Sequence, residues 1–197
     1  MLPVFATNRL EALILYAAFF IWLLPEVISS FTDTVGKEIK VHDRASGAVL
    51  LICIWVGIFA SINIAFAVRS FAIPWHRTLQ FTIGIFLMLA GVAFRWYSIR
   101  VLGKYFTRQV AIQPGQTVVE NGPYRLIRHP SYSGALITIL GVGLVLTNWL
   151  SLIVVIAVAF IGYSYRVWVE EKTLVNGLGE PYRQYMKRTK RFIPFLY

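Results

Sequence analysis

The chain has 197 residues, 57% of them hydrophobic and only 14% charged, against roughly a quarter charged in a soluble domain. This balance excludes an ordinary water-soluble globule and marks an integral membrane protein. The net charge of +10, from 19 Lys and Arg against 9 Asp and Glu, gathers in residues 95–128 and 172–191 beside apolar runs, the pattern of the positive-inside bias and of attraction to anionic lipid rather than of nucleic-acid binding.

Residues 10–24 are apolar apart from Glu11 and close on Pro25-Glu26. That is short for a bilayer needing about 20 residues, so the first span either ends there or continues past a Pro kink toward Phe31. No removed signal peptide is expected, because no basic stretch precedes the apolar run. Residues 29–44 are polar and read as a loop. Residues 47–68 carry no charge and form the clearest span; residues 69–77, with Pro74, are a brief connection. Residues 78–94 make a third span that continues as a helix into Arg95, Arg100, Lys104 and Arg108. Residues 109–128 are too polar for lipid and too punctuated by Pro114-Gly115 and Asn121-Gly122-Pro123 for one helix. Residues 132–147 and 149–165 are two apolar runs separated by Asn148, which predicts a tight helical hairpin whose glycines, Gly134, Gly141 and Gly143, permit close backbone approach. The remainder is a polar, Tyr-rich tail broken by Pro181 and Pro194.

The expected fold is therefore all-α: a polytopic membrane protein of five transmembrane helices. It forms a single membrane domain over residues 1–197, with 1–108 as the lipid-facing part and 109–197 as a polar segment, hairpin and tail. The basic clusters share one face, so that face and the C-terminus are expected in the cytoplasm and the N-terminus outside.

Cys53 is the only cysteine, and His42, His76 and His129 lie far apart, so neither a disulfide nor a metal site is expected. The stretch with most chemical content is residues 122–134, Gly-Pro-Tyr-Arg-Leu-Ile-Arg-His-Pro-Ser-Tyr-Ser-Gly. Pro130 suits the first turn of a helix, which leaves His129 and Tyr132 beside free amides where an anionic group is favoured. The simpler reading has Pro130 as a helix start only and Arg125 and Arg128 snorkelling to headgroups. Past the hairpin, Arg166 and Glu170 lie four apart on one helix face, at the same membrane boundary as His129. Their simplest role is an interfacial ion pair, yet charge at span depth is costly unless it serves a site.

Gly-Pro-Tyr, Arg-His-Pro-Ser-Tyr-Ser-Gly, an apolar hairpin, Arg166-Val-Trp-Val-Glu170-Glu171 and a Glu-Pro-Tyr tail together resemble the isoprenylcysteine carboxyl methyltransferase family over residues 109–197. The resemblance implies S-adenosylmethionine as cofactor, with S-adenosylhomocysteine as product. It implies that Gln109, Gln116, Thr117, Val118, Val119, Tyr124, His129, Pro130, Ser131, Tyr132 and Glu170 line the cofactor. Arg166 would be the catalytic, acceptor-binding residue, and the acceptor would be the carboxylate of a prenylated cysteine arriving through membrane lipid. No nucleic acid or metal partner is implied.

A carboxylate acceptor is already deprotonated at neutral pH, so positioning and desolvation dominate, and the planar fork of Arg166 suits it. A phosphatidylethanolamine amine, as in related phospholipid N-methyltransferases, would need a base and would be repelled by that arginine. A sterol reductase and a non-enzymatic scaffold are the remaining alternatives. Tyr182, Arg183 and Tyr185 either close over the site or lie in a surface tail, and Arg95, at the end of the third span, either approaches the acceptor or serves as a snorkelling anchor.

Overall fold

The computed structural model describes residues 1–32, 41–43 and 45–194. Among the described residues there are six helices of two turns or more: α1 (Arg9–Thr32), α2 (Ala45–Ala67), α3 (Arg77–Leu102), α4 (Pro130–Val145), α5 (Trp149–Leu178) and α6 (Glu180–Arg188). Two short strands, β1 (Val41–Asp43) and β2 (Val110–Ala111), pair antiparallel with Val41 opposite Ala111, a small departure from the expected all-α chain. It arises because the polar segment before β2 returns to the start of α2 and satisfies its backbone there. The expected loop over residues 29–44 falls mostly outside the described residues.

Among the described residues, four helices are long and apolar enough to cross a membrane, within Arg9–Ile28, Ala45–Ala67, Arg77–Tyr105 and Trp149–Leu178. Pro25 sits inside α1, which runs on to Thr32, so the first helix continues past its proline. The outer surfaces carry large apolar side chains such as Phe20, Phe59, Phe86 and Ile161, each more than 60% exposed. Water would penalise such a surface; hydrocarbon does not. The chain is an integral membrane protein.

The fifth apolar helix, α4, has only 16 residues, about 24 Å at 1.5 Å per residue against a hydrocarbon core of about 30 Å. Its side chains are buried on nearly every face, from Pro130 through Val145, because it packs between α3 and α5 while α2 lies against α5 and α1 against α3. A helix apolar all round belongs in such an inner position.

Glycines set how closely α4 and α3 approach. A methyl added at Gly91 would lie 2.5 Å from the Gly134 carbonyl oxygen, and one at Gly141 would lie 2.5 Å from that of Gly84. The expected close approach of Gly134 and Gly141 is thus realised against α3, through Gly84 and Gly91 at the same seven-residue spacing. Gly143 instead faces Leu152 and Val155 on α5.

The link between α4 and α5 is Leu146, Thr147 and Asn148. Asn148 is 1% exposed. Its side-chain oxygen accepts from the Ser151 N–H at 3.1 Å, capping α5, and its amide donates to the Val68 carbonyl at 3.0 Å. The Ile73 N–H bonds the Thr147 carbonyl at 2.9 Å, so the α2–α3 connection and the α4–α5 link are tied together at one end of the bundle.

A Gly91→Ala substitution should overpack the α3–α4 contact and destabilise the protein by about 1–3 kcal/mol. Thermal unfolding in detergent checks this: the variant should melt below wild type, and an equal melting temperature would mean the helices approach less closely than described.

Candidate functional site

At the opposite end, α5 emerges from the bundle carrying Arg166, Glu170 and Glu171, and meets the start of α4. Pro130 occupies the first helical position with His129 as N-cap; its missing N–H costs nothing there. The Tyr132 and Ser133 N–H groups both return to the His129 carbonyl, and the His129 and Tyr132 rings stack at 5.6 Å between centroids.

Tyr132 stands between Arg166 and Glu170. Its hydroxyl donates to Glu170 Oε2 at 2.7 Å and accepts from Arg166 Nε at 3.4 Å. The expected i, i+4 partners are therefore joined through a phenol from α4 rather than directly. Glu170 Oε1 also lies 3.9 Å from His129 Nδ1.

Arg166 is 3% exposed and is held almost entirely by neutral acceptors. Nη1 donates to Ser46 Oγ and Nη2 to the Arg108 carbonyl, each at 2.6 Å. The nearest carboxylate, Asp43, is 3.7 Å away. Asp43 also caps α2 by accepting from the Ala45 and Ser46 N–H groups at 3.0 Å. Although burial works against its ionisation, the bonds from Ser46 and Ala45 and the nearby Arg166 charge hold its carboxyl below the ordinary range.

Two cavities flank this arginine. The first, of about 90 Å³, is lined by Gln109, Gln116, Thr117, Val118, Val119, Tyr124, His129, Ser131, Tyr132, Arg166 and Glu170, with Tyr182 and Tyr185 from α6. Of the residues that the resemblance assigns to the cofactor, Pro130 alone is not on its wall; it is packed beneath the helix start. Burial pushes the Tyr124, Tyr182 and Tyr185 phenols above their ordinary range, so they remain neutral. The Tyr185 hydroxyl donates to the Tyr124 carbonyl at 2.7 Å, pinning α6 across the cavity. The second cavity, of about 470 Å³, is mainly apolar, bounded by Trp22, Leu23, Leu51, Ile54 and Trp55 from α1 and α2. Phe106, Thr107, Gln109, Tyr132 and Arg166 border both.

The polar end of the second cavity holds residues the sequence did not single out. Glu26 takes Arg95 in a fork, Nε to Oε1 at 2.6 Å and Nη2 to Oε2 at 3.2 Å, and Oε2 also pairs with Arg108 Nη2 at 3.2 Å. Arg108 further donates to the Glu26 carbonyl. Arg95 is thus a wall of the cavity, its side chain 14% exposed, and not a snorkelling anchor. The available signal was Glu26 itself, a carboxylate at the end of an apolar run.

Arg128 does not snorkel either. Its Nε bonds Glu171 Oε1 at 2.7 Å, while Arg191 Nη2 bonds Oε2 at 2.8 Å and His129 Nε2 lies 3.4 Å from Oε1. The tail after α6 docks on this cluster: the Arg128 N–H bonds the Lys190 carbonyl at 2.7 Å, and Ser133 Oγ donates to the Phe192 carbonyl at 2.7 Å.

The first cavity suits an adenosyl amino acid by its chemistry. Gln109 Oε1 is buried without a hydrogen-bond partner. That buried acceptor is costly unless a ligand or water meets it, and Thr117, Val118 and Val119, exposed or half-buried, border the same cavity.

Residues 83–176 match the model of the isoprenylcysteine carboxyl methyltransferase (ICMT) family. Just under half of the chain is thus similar to this family. Among its relatives, a probable protein-S-isoprenylcysteine O-methyltransferase of Oryza sativa subsp. indica is 30% identical over 116 residues, covering 58% of this chain and 61% of the relative. The protein-S-isoprenylcysteine O-methyltransferase of Saccharomyces cerevisiae is 32% identical over 139 residues, covering 66% and 58%. The fold is similar to that of the eukaryotic intramembrane Ras methyltransferase ICMT, with a TM-score of 0.58 and 24% identity over 93% of this chain and 63% of that one. The chain spans about three-fifths of the length of these relatives.

Removing the Glu171 carboxylate strands the buried Arg128 charge, a loss of about 3–5 kcal/mol for a buried pair. Glu171→Ala should therefore loosen the tail and speed tryptic cleavage after Lys187 and Arg188, read by mass spectrometry. An unchanged cleavage rate would remove the cluster as the tail's anchor.

Proposed function

We propose that this protein is an S-adenosylmethionine-dependent carboxyl O-methyltransferase that esterifies the C-terminal carboxylate of a prenylated cysteine at the membrane boundary. The observation that carries the reading is the meeting of a polar and an apolar cavity at one buried arginine. The polar cavity takes the methyl donor and the apolar one takes the prenyl chain, admitted laterally from lipid. Residues 109–197 supply most of the former and residues 1–108 most of the wall of the latter.

When bound, the cofactor supplies an electrophilic methyl group. Gln109 and the backbone of Thr117, Val118 and Val119 would hold its polar edges. The helix-start amide of Ser131, beside His129, suits its carboxylate, while Tyr124 and Tyr132 pack against it. Glu170 suits its ammonium or ribose hydroxyls. Arg166 holds the acceptor carboxylate with the donors its neutral partners leave over, and the surrounding apolar wall excludes water. Orientation is the main task, because the acceptor arrives deprotonated. An ammonium headgroup would meet the like charges of Arg95, Arg108 and Arg166, which all border the acceptor cavity.

In this reading α4 serves as the fifth span, and with α5 it forms the transmembrane hairpin. The positive-inside bias of the basic clusters supports a cytoplasmic cofactor site and C-terminus and an outer N-terminus.

Incubation with methyl-labelled cofactor and either N-acetyl-S-farnesylcysteine or phosphatidylethanolamine tests the reading. Base-labile label on the prenylcysteine is expected; stable label on the amine, or no transfer to either, sinks it. Arg166→Ala should lower transfer by about 10²–10³-fold, the scale of losing one charge-stabilising donor, while cofactor binding measured by calorimetry largely persists. Glu170→Ala should instead raise the cofactor dissociation constant; an unaltered value would remove Glu170 from the cofactor site.

A further inference from the structure

Arg166 is seated on the first turn of α2 as well as on the wall of the polar cavity. Its Nη1 donates to Ser46 Oγ at 2.6 Å, Ser46 being fully buried, and a methyl added at Gly47 would lie 3.6 Å from the same nitrogen, in van der Waals contact. The seat is rigid on both sides. Asp43 accepts from the Ala45 and Ser46 N–H groups at 3.0 Å each, which fixes where the first turn begins. α2 and α5 then run antiparallel with little room between them. A methyl at Gly162, one turn before Arg166, would lie 2.9 Å from Cys53 Cβ, and one at Gly57 would lie 3.2 Å from Val158 Cβ. The register of Ser46 against Arg166 is therefore set by helix packing and not by the two side chains alone.

We propose that Ser46 is a positioning residue for the acceptor, setting the plane in which Arg166 presents its guanidinium fork. This rests on the transferase reading above for the identity of the acceptor, and on the α2–α5 geometry for the role. A guanidinium is flat, and the direction in which its fork opens follows from the N–H groups that are already held. Nη1 is held by Ser46, Nη2 by the Arg108 carbonyl at 2.6 Å and Nε by the Tyr132 hydroxyl at 3.4 Å. The two short bonds act on the two terminal nitrogens and together fix the plane. A hydroxyl does this without neutralising the guanidinium, as a carboxylate in its place would, so the charge still draws an anion. The same helix goes on as a wall of the apolar cavity, through Leu50, Leu51, Ile54 and Trp55. These residues begin about one turn beyond Ser46 and end about two and a half turns beyond it. α2 thus measures the distance from the fork to the apolar wall, and the ligand that fits the measure is an amphiphile whose carboxylate stands within a few bonds of its apolar chain.

Three substitutions separate the hydrogen bond from the packing. Ser46→Ala removes the acceptor, Ser46→Cys nearly keeps the volume but offers only a weak acceptor, and Ser46→Thr keeps the hydroxyl. Trp22 and Trp55 line the apolar cavity, so the change in tryptophan fluorescence reports binding in the absence of cofactor and of turnover. For N-acetyl-S-farnesylcysteine against its methyl ester, the ratio of carboxylate to ester affinity should fall about tenfold in Ser46→Ala and Ser46→Cys, the scale of one misdirected charge-assisted hydrogen bond. It should stay near the wild-type value in Ser46→Thr. With labelled cofactor, KM for the prenylcysteine should rise and kcat fall in the first two variants, recovering in Ser46→Thr, while the cofactor dissociation constant stays unchanged in all three.

A merely structural role would weaken both ligands alike and leave the affinity ratio where it was; that result overturns the proposal, and so does a ratio lowered equally in Ser46→Thr. Should Ser46→Ala fail to fold, Ser46→Cys, which leaves no void, carries the same test. If the ratio falls as expected although the wild-type protein transfers no methyl group, the transferase reading fails and the role of Ser46 in presenting Arg166 to a carboxylate stands. Methyl transfer by the wild-type protein with an unmoved ratio in the variants does the reverse.

Discussion

A guanidinium at 3% exposure is the constraint around which the polar end of this protein is built. Taking such a charge out of water costs several kcal/mol unless hydrogen bonds replace the lost hydration. The replacements come from far apart in the chain: Ser46 at the start of α2, the Arg108 carbonyl before β2, and Tyr132 on the first turn of α4. Each segment must be in place for Arg166 to be tolerated, and Arg166 in turn holds them together. The β1–β2 pairing contributes to the same junction, since it sets Asp43 at the cap of α2 and leads directly into Gln109.

This junction depends on the depth at which α4 begins. Because Gly84 and Gly91 lie against Gly141 and Gly134, α3 and α4 meet backbone to backbone, and the register between them is fixed by contacts that tolerate no added methyl group. That register puts Arg95 within 3.3 Å of the Ser131 carbonyl and the start of α4 opposite Glu170 and Glu171. A short inner helix held by small residues thus fixes the height of the site in the membrane.

The apolar periods and the proline and glycine punctuation made the helices readable, with α1, α2, α3 and α5 close to their expected positions. The continuation of α1 through Pro25 was open in the sequence, because a proline inside a lipid-facing helix is compatible with either outcome. The local motifs His129 to Tyr132 and Arg166 to Glu170 signalled their own importance through chemistry packed into few residues. What local spacing could not disclose was pairing over 69 to 120 positions: Glu26 with Arg95, and Ser46 with Arg166. Ser46 and Asp43 look unremarkable alone, since a single hydroxyl or loop carboxylate acquires meaning only from the buried cation it meets. Arg95 and Arg128 look like boundary cations for the same reason, and only the fold shows that both are consumed internally.

Gln109, Tyr132 and Arg166 belong to the walls of both cavities, and a shared wall is a thermodynamic statement. Any occupant that orders these side chains on one side lowers or raises the cost of ordering them on the other, and linkage makes the effect equal in both directions. Two solutes that both order this shared wall, one arriving from water and one from lipid, would each alter the apparent affinity for the other without needing to touch.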